Sequence, residues 1–264
     1  MHALVHRYCE EKLENEHASA TGEAPAGVRR RHCDYYVSRA GEPDPRQELG
    51  DIDAGTLELE FHNVGSSLDW AVRHMHLSAV GALARRLRQI CFMLGWLDVT
   101  YQQLSNAAEV LDDRLGRLDD EPELMEKALE KLAGIRSWQI PVASNLGRFE
   151  AAGEHIDQLD VLAHEMPPSP WKPFYQYYAV FERSVQMWHL GDYEASREYG
   201  YEALSLAQDK DFVYPPLKQT TSQRLFQAHA LAQTATASLY LGLYDEAEEQ
   251  WREYCDCRRN RREV

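Results

Sequence analysis

Apolar side chains return every three or four positions along most of this chain, and the strict alternation of a strand is scarce. Leu57, Phe61, Val64, Leu68 and Val72 trace one such stripe through the stretch 57–74, which puts them on a single face of a helix. The same period predicts helices over about 77–93, 98–115, 148–164, 170–189 and 193–208, another that ends at Tyr240, and a last one over about 244–258. Nearer the start it predicts a short amphipathic helix over 1–15, with Leu4, Tyr8 and Leu13 on one side, and a second helix from near Val28 that carries Tyr35, Tyr36 and Val37. Polar punctuation separates these segments. Asp119-Asp120-Glu121-Pro122 has the acidic residues and proline of a helix entrance, and Pro167-Pro168-Ser169-Pro170 reads as a stop followed by a capped start. Pro141 lies inside an apolar pattern, so a kink or break is expected near Ile140.

The punctuation itself repeats. Leu190-Gly191-Asp192-Tyr193-Glu194-Ala195-Ser196 recurs as Leu241-Gly242-Leu243-Tyr244-Asp245-Glu246-Ala247 and as Leu146-Gly147-Arg148-Phe149-Glu150-Ala151-Ala152. Leu94-Gly95-Trp96-Leu97-Asp98-Val99-Thr100 is a weaker copy. Each copy has Leu-Gly, a bulky apolar residue three places after the Leu, and a small residue six places after it. This is what a helical hairpin asks for. The expectation is that the glycine lets two helix backbones approach closely, that Phe149, Tyr193 and Tyr244 fill the elbows, and that the small residue lets the second helix cross the first. Self-similarity at intervals of tens of residues marks a repeat architecture.

These residues resemble the tetratricopeptide repeat, best in the copy at 190, where Ala203-Leu204 also falls where that repeat places Ala-Leu on its second helix. The Leu-Gly pairs stand at 94, 146, 190 and 241, in steps of 52, 44 and 51, against about 34 residues for a standard unit. Long, irregular steps are similar to those in the repeat arms of bacterial signal-transduction ATPases, including transcription activators of the maltose-operon type. The first 75 or so residues extend the resemblance through Met1-His2-Ala3-Leu4-Val5-His6-Arg7-Tyr8, Glu11-Lys12-Leu13, Arg31-His32 with Tyr35-Tyr36, and Glu60-Phe61-His62-Asn63 ahead of Leu68-Asp69-Trp70-Ala71. In that family a winged-helix module ends in such a segment. The family also has a nucleotide-binding core, whereas no Gly-x-x-x-x-Gly-Lys-Ser/Thr occurs here. The resemblance implies an all-α chain in two parts. Residues 1–76 would be a helical linker bundle resembling the end of a winged-helix module. Residues 77–264 would be four tetratricopeptide-like hairpins in a right-handed superhelical array, the sensor or scaffold arm of a regulator separated from its motor.

Composition narrows the function. The chain has 264 residues, 44% hydrophobic and 27% charged, with a net charge of -15, which suits a globular array and opposes a nucleic-acid surface. Arg29-Arg30-Arg31, Arg85-Arg86 with Arg88, and the arginines at the C-terminal end read as solvated faces of an acidic protein. Five cysteines form no paired framework and no signal peptide is evident, so reduced thiols in the cytoplasm are expected. No apolar run approaches the roughly 18 residues of a membrane span. His2 and His6 lack a third ligand. His74 with His76, and Cys255 with Cys257, are two apart and on an unbroken helix point about 200° from one another. Neither a metal nor a cofactor is expected. No carboxylate pair or nucleophile elbow is marked, so the chain is read as non-enzymatic.

The remaining candidate is a groove. In stacked hairpins the first helices line the concave face. Over 170–189 Phe174, Tyr178, Phe181, Val185 and Trp188 form the expected core stripe, with Tyr175, Glu182 and Gln186 offset from it. Arg136 and Gln139 on the preceding first helix, and Gln223 and Gln227 on the following one, complete the expected lining. A protein or peptide partner is the first occupant expected there. A small-molecule inducer is the alternative implied by the resemblance to sugar-sensing arms.

Overall fold

In a computed structural model of the chain, residues 25–40, 54–118, 120–215 and 217–259 are described, and among them ten α-helices and no strand are found. The expected helix over 1–15 lies outside the described residues. Contacts divide the chain into two compact units, Met1–Trp96 and Leu97–Val264. Among the described residues no helix is long and apolar enough to cross a membrane.

In the first unit, α1 (Pro25–Ala40), α2 (Ala54–Arg73) and α3 (Leu77–Leu94) pack on one another. The predicted stripe on α2 is its core face, with Phe61, Val64, Leu68 and Val72 at 1% exposure or less. They meet Cys33 of α1 and Leu83, Leu87 and Ile90 of α3, all fully buried. Glu60 is the one buried carboxylate among the described residues of this unit, held by Arg39 at 2.6 Å and Arg86 at 2.9 Å. Burial pushes its pKa up, but hydrogen bonds and charge from Arg86 and Arg39 outweigh that, and the net shift is down.

The expected boundary between 76 and 77 falls inside this unit, because the buried face of α3 from Leu77 to Cys91 packs on α1 and α2. Trp96 explains why the unit extends to the weak Leu-Gly copy. Its ring sits edge-on to Phe61 at 5.0 Å, so this elbow turns back into the first core. The stretches 77–93 and 98–115, expected as one hairpin, thus belong to different units.

The second unit is a run of consecutive helices, each packed on the next: α4 (Leu97–Leu115), α5 (Pro122–Asn145), α6 (Phe149–Glu165), α7 (Lys172–Leu190), α8 (Tyr193–Gln208), α9 (Gln219–Tyr240) and α10 (Tyr244–Arg259). The first helices of successive hairpins also touch, α5 with α7 and α7 with α9. Helix α5 continues through Pro141 without a break, and the Asn145 amide donates to the Pro141 carbonyl at 2.7 Å. The aromatic centre of the unit is Tyr177, Phe212 and Phe226. Tyr177 is 1% exposed and its hydroxyl donates to the Phe226 carbonyl at 2.9 Å, which meets the polar requirement of a buried phenol.

The repeat glycines have a different task from the one expected. Gly147, Gly191 and Gly242 have φ of 72°, 81° and 77°, and a Cβ built on any of them meets nothing within 4 Å. They are left-handed caps rather than points of close approach. Around Gly191 the amide of Asp192 donates to the Met187 carbonyl at 3.0 Å, and the same bond joins Arg148 to Ala143 and Leu243 to Ser238, each at 2.9 Å. This pattern satisfies the free carbonyls at a helix end and turns the chain sharply. Close approach falls to other glycines. A Cβ on Gly200 would lie 2.6 Å from Thr234 Oγ1, and one on Gly153 would lie 2.5 Å from Gln186 Nε2. The small residues six places after each Leu do sit where helices cross, with Ala152 and Ser196 fully buried and Ala247 3% exposed.

The elbow aromatics reach beyond their own hairpins. Phe149 stacks on His189 at 5.3 Å and Tyr193 on Tyr240 at 4.8 Å, in each case at the end of the next first helix. Tyr244 is 68% exposed.

Candidate functional site

Successive second helices leave a furrow between them, floored by the first helix that separates them. Three such furrows follow one another in the second unit, and the sequence fills the first two differently.

In the furrow of α4, α5 and α6, polar side chains converge and close the space. Arg136 donates to Gln139 Oε1 at 3.1 Å, and Gln139 Nε2 donates to Ser105 Oγ at 3.0 Å. The Tyr101 hydroxyl lies 2.9 Å from His155 Nε2, and His155 Nδ1 lies 3.3 Å from Gln158 Oε1. The glutamine oxygen only accepts, so the imidazole proton belongs on Nδ1 and Nε2 accepts from Tyr101. Burial lowers the His155 pKa, the Gln158 hydrogen bond offsets part of that, and the Arg136 charge adds a smaller lowering. Arg136 is only 9% exposed, and among the described residues no carboxylate lies within 4 Å of it. Burial pulls its pKa down, while Asp112, Glu109 and then Tyr101 act on it at longer range in the opposite sense.

In the furrow of α6, α7 and α8 a cleft of about 380 Å3 stays open. Ala179, Val180 and Leu206 give it an apolar floor, and Asp160 and Glu202 put a carboxylate on either side. His164 Nδ1 stands 3.4 Å from Asp160. Arg183 is tied to Asp157 at 2.5 Å and lies 5.9 Å from the centre of the Tyr199 ring. The Leu-Gly pairs at 146 and 190 are 44 residues apart, and that offset aligns the two furrows. Arg136 corresponds to Val180, Gln139 to Arg183, His155 to Tyr199 and Gln158 to Glu202. The guanidinium in the first furrow is therefore matched by the isopropyl group of Val180 in the second, and the Gln139 amide by the guanidinium of Arg183, which lines the cleft.

Of the residues expected to line one groove, only Arg136 and Gln139 come together in a furrow. Tyr175 is 5% exposed, stacked on Trp171 at 5.9 Å, and its hydroxyl donates to the Glu130 carbonyl at 3.3 Å. Gly134 leaves room for it, since a Cβ there would lie 3.2 Å from that hydroxyl. Glu182 and Gln186 are 9% and 8% exposed. The three glutamines tie helices to the carbonyls of neighbouring segments: Gln186 to Phe149 at 2.8 Å, Gln223 to Asp209 at 2.7 Å and Gln227 to Ala207 at 3.3 Å. The face of α7 read as groove is thus buried, because α5 and α6 cover it. The expected core stripe is only half buried at Tyr178, Phe181, Val185 and Trp188.

Asp160, Val180, Tyr199 and Glu202 were not singled out by sequence. The signal that finds them is the 44-residue alignment, which sets Val180 against Arg136. Among the described residues no three His, Cys, Asp or Glu side chains gather as a metal ion would require. No family model matches this chain, and no curated protein matches it.

Proposed function

We propose that this chain is a non-enzymatic helical-repeat scaffold, the sensor arm of a cytoplasmic signal-transduction or transcription regulator, which holds a partner peptide in the α6–α7–α8 cleft. The observation that supports this reading is the cleft itself, an apolar floor between two carboxylates. Apolar side chains of a peptide would rest on Val180 and Leu206, and lysine or arginine side chains would meet Asp160 and Glu202. Charged rims chiefly set specificity and association rate, while the desolvated floor supplies most of the affinity. The regulatory part of the reading rests on the resemblance of the Leu-Gly repeats. The test is capture of partners from a lysate followed by titration of the identified peptide. Asp160→Lys with Glu202→Lys should weaken binding about tenfold or more by reversing the rim. Unchanged affinity in a folded double variant would remove the cleft from the reading.

A second reading has its own observation. A guanidinium 9% exposed with no carboxylate of a described residue within 4 Å suits an anionic small-molecule inducer at Arg136, since a buried charge is costly without a counter-charge. Thermal shift with small carboxylates and phosphates, repeated on Arg136→Gln, separates the two. A shift that the variant loses favours the inducer, and no shift with any anion removes it.

A further inference from the structure

The first furrow holds two titratable groups that act on one another, Arg136 on α5 and His155 on α6, at 9% and 7% exposure. Arg136 gives Nη1 to Gln139. Its Nε and Nη2 donate to no described residue, and neither is sealed from solvent. Those two N–H groups lie side by side on one edge of the guanidinium, as the parallel donors that a carboxylate accepts together. No described residue supplies a carboxylate within 4 Å. Asp112 and Glu109 on α4 act from longer range, and burial outweighs them.

His155 reads the same charge. Its ring faces Tyr101 of α4 at Nε2 and Gln158 of its own helix at Nδ1, with Arg136 of α5 and Glu154 of α6 acting through charge. Arg148 lies 5.1 Å from the centre of the Tyr101 ring and is tied to Asp98 at 2.6 Å. Helix α7 also packs on α6, bringing Glu182 and Arg183, and Arg183 is tied to Asp157 at 2.5 Å. Burial and the Arg136 charge favour the neutral ring. An anion on Arg136 cancels the second of these and adds an attraction of its own for a proton. In the neutral ring Nδ1 carries the hydrogen, and the Tyr101 hydroxyl donates to Nε2. A proton added at Nε2 reverses that bond. The imidazolium then donates to the Tyr101 oxygen, and the phenolic O–H is released to donate elsewhere.

We propose that this furrow binds a small monocarboxylate on the Nε–Nη2 edge of Arg136 and takes up one proton at His155 as it does so. This use of His155 presupposes that Arg136 is an anion site, and it gives that site its ligand class and its regulation. Tyr101 is near enough to act on the Arg136 charge, and its released hydroxyl is the further donor to the carboxylate. The proton comes from solvent. Carboxylate and proton enter as a neutral pair, so the net charge buried in the furrow is unchanged, and burying an uncompensated charge is what costs most. Asp112 and Glu109, together with the close packing of the furrow, oppose a larger or doubly charged anion. The second furrow has neither half of the device, with Val180 and Tyr199 at the matched positions. Affinity rises as pH falls through the pKa of His155 in the complex, and levels off below its lowered value in the free chain.

The experiment titrates the whole chain with formate, acetate and glycolate by calorimetry, in two buffers of different ionisation enthalpy, between about pH 8 and 5.5, where a carboxylate keeps its charge. Proton uptake should accompany binding, and the dissociation constant should be about tenfold lower at the acid end. Arg136→Gln should abolish binding. His155→Gln, whose amide keeps a partner for Tyr101, should bind with a flat pH profile and no uptake. Histidine-ring NMR of the unsubstituted chain reads the same event without any variant, as one imidazole moving towards its protonated signals when carboxylate is added. Binding that Arg136→Gln abolishes but that takes up no proton overturns the coupling and leaves Arg136 an anion site. Uptake that persists in folded His155→Gln also overturns it, since another group then titrates. Binding of phosphate and of none of the carboxylates overturns the ligand class. No binding of any of these anions overturns the coupling and the anion site together.

Discussion

The furrow of α4, α5 and α6 and the furrow of α6, α7 and α8 have the same backbone plan and opposite contents. In the first, Arg136, Gln139, Tyr101 and His155 close the space with hydrogen bonds. In the second, Val180 and Tyr199 stand at the positions of Arg136 and His155, and a cleft of about 380 Å3 remains. A repeat fixes where a furrow runs. The side chains at four matched positions differ between the two, and the second keeps an opening.

The largest expected effect comes from erasing that difference. Val180→Arg puts into the second furrow the side chain that the first already accommodates, next to Asp160 and Glu202. Thermal unfolding should change little, while affinity for the captured partner should fall by about tenfold or more, as loss of a central contact does. Retained affinity would mean that the partner uses another surface.

Beneath the second furrow, Gly200 lies against Thr234, with Ser184 Oγ 3.5 Å from the position its Cβ would take. Thr234 and Ser184 are fully buried, so Gly200→Ala forces the α8–α9 contact apart and should cost about 1–3 kcal/mol in denaturant unfolding. Gly191→Ala meets nothing within 4 Å. It should cost only the left-handed backbone strain, about 1–2 kcal/mol. A larger loss at Gly191 than at Gly200 would restore close packing as the role of the elbow glycines.

The converse substitution opens the first furrow. Arg136→Val removes a buried charge whose one hydrogen-bond partner among the described residues is Gln139, and replacing a poorly compensated buried charge with an apolar group costs little. Stability should stay within about 1 kcal/mol of the parent, and a dye specific for apolar cavities should report a second cleft.

The smallest effect is a pH dependence confined to the first furrow. His155 has its pKa lowered by burial from the ordinary 6.5. The unfolded chain therefore takes up its proton first as pH falls, so the contribution of neutral His155 is complete above about 6.5 and lost as pH drops towards its lowered value. Melting temperature should decline between pH 7 and 5, and less so in His155→Gln. Part of the slope should persist, because burial lowers the His32 pKa as well. An identical slope in the variant would place the titration elsewhere.

The helices were legible because their apolar period and Leu-Gly stops are local signals. Six chain segments, 193–208 among them, were bounded to within a residue or two by those signals alone. What the glycines do was not legible, since left-handed caps and close-packed crossings both favour glycine and only φ separates them. The division at Trp96 depends on a contact with Phe61 across 35 positions, which no local pattern encodes. The groove residues misled for a related reason. Tyr175 and Gln186 are offset from an apolar stripe, as exposed residues would be, but α7 is flanked on both sides and buries that face too. Arg136 and Gln139 were expected beside Tyr175 in one groove, and they lie instead in the furrow of α4, α5 and α6. Val180 was not singled out, because an opening is announced by a small side chain and not by a reactive one.

The elbows carry one more consequence. Gly147, Gly191 and Gly242 share a left-handed φ of 72°, 81° and 77°, and a Cβ on any of them would meet nothing within 4 Å. The stretch from Arg148 to Gly191 is therefore a cassette of 44 residues with interchangeable ends. Excising it joins Gly147 to Asp192 through a turn of unchanged geometry and sets Arg136 opposite Tyr199 and Glu202, the partners that Val180 has now. Recombination between such junctions alters how many furrows the protein owns and which of them are blocked, without any helix having to learn a new ending.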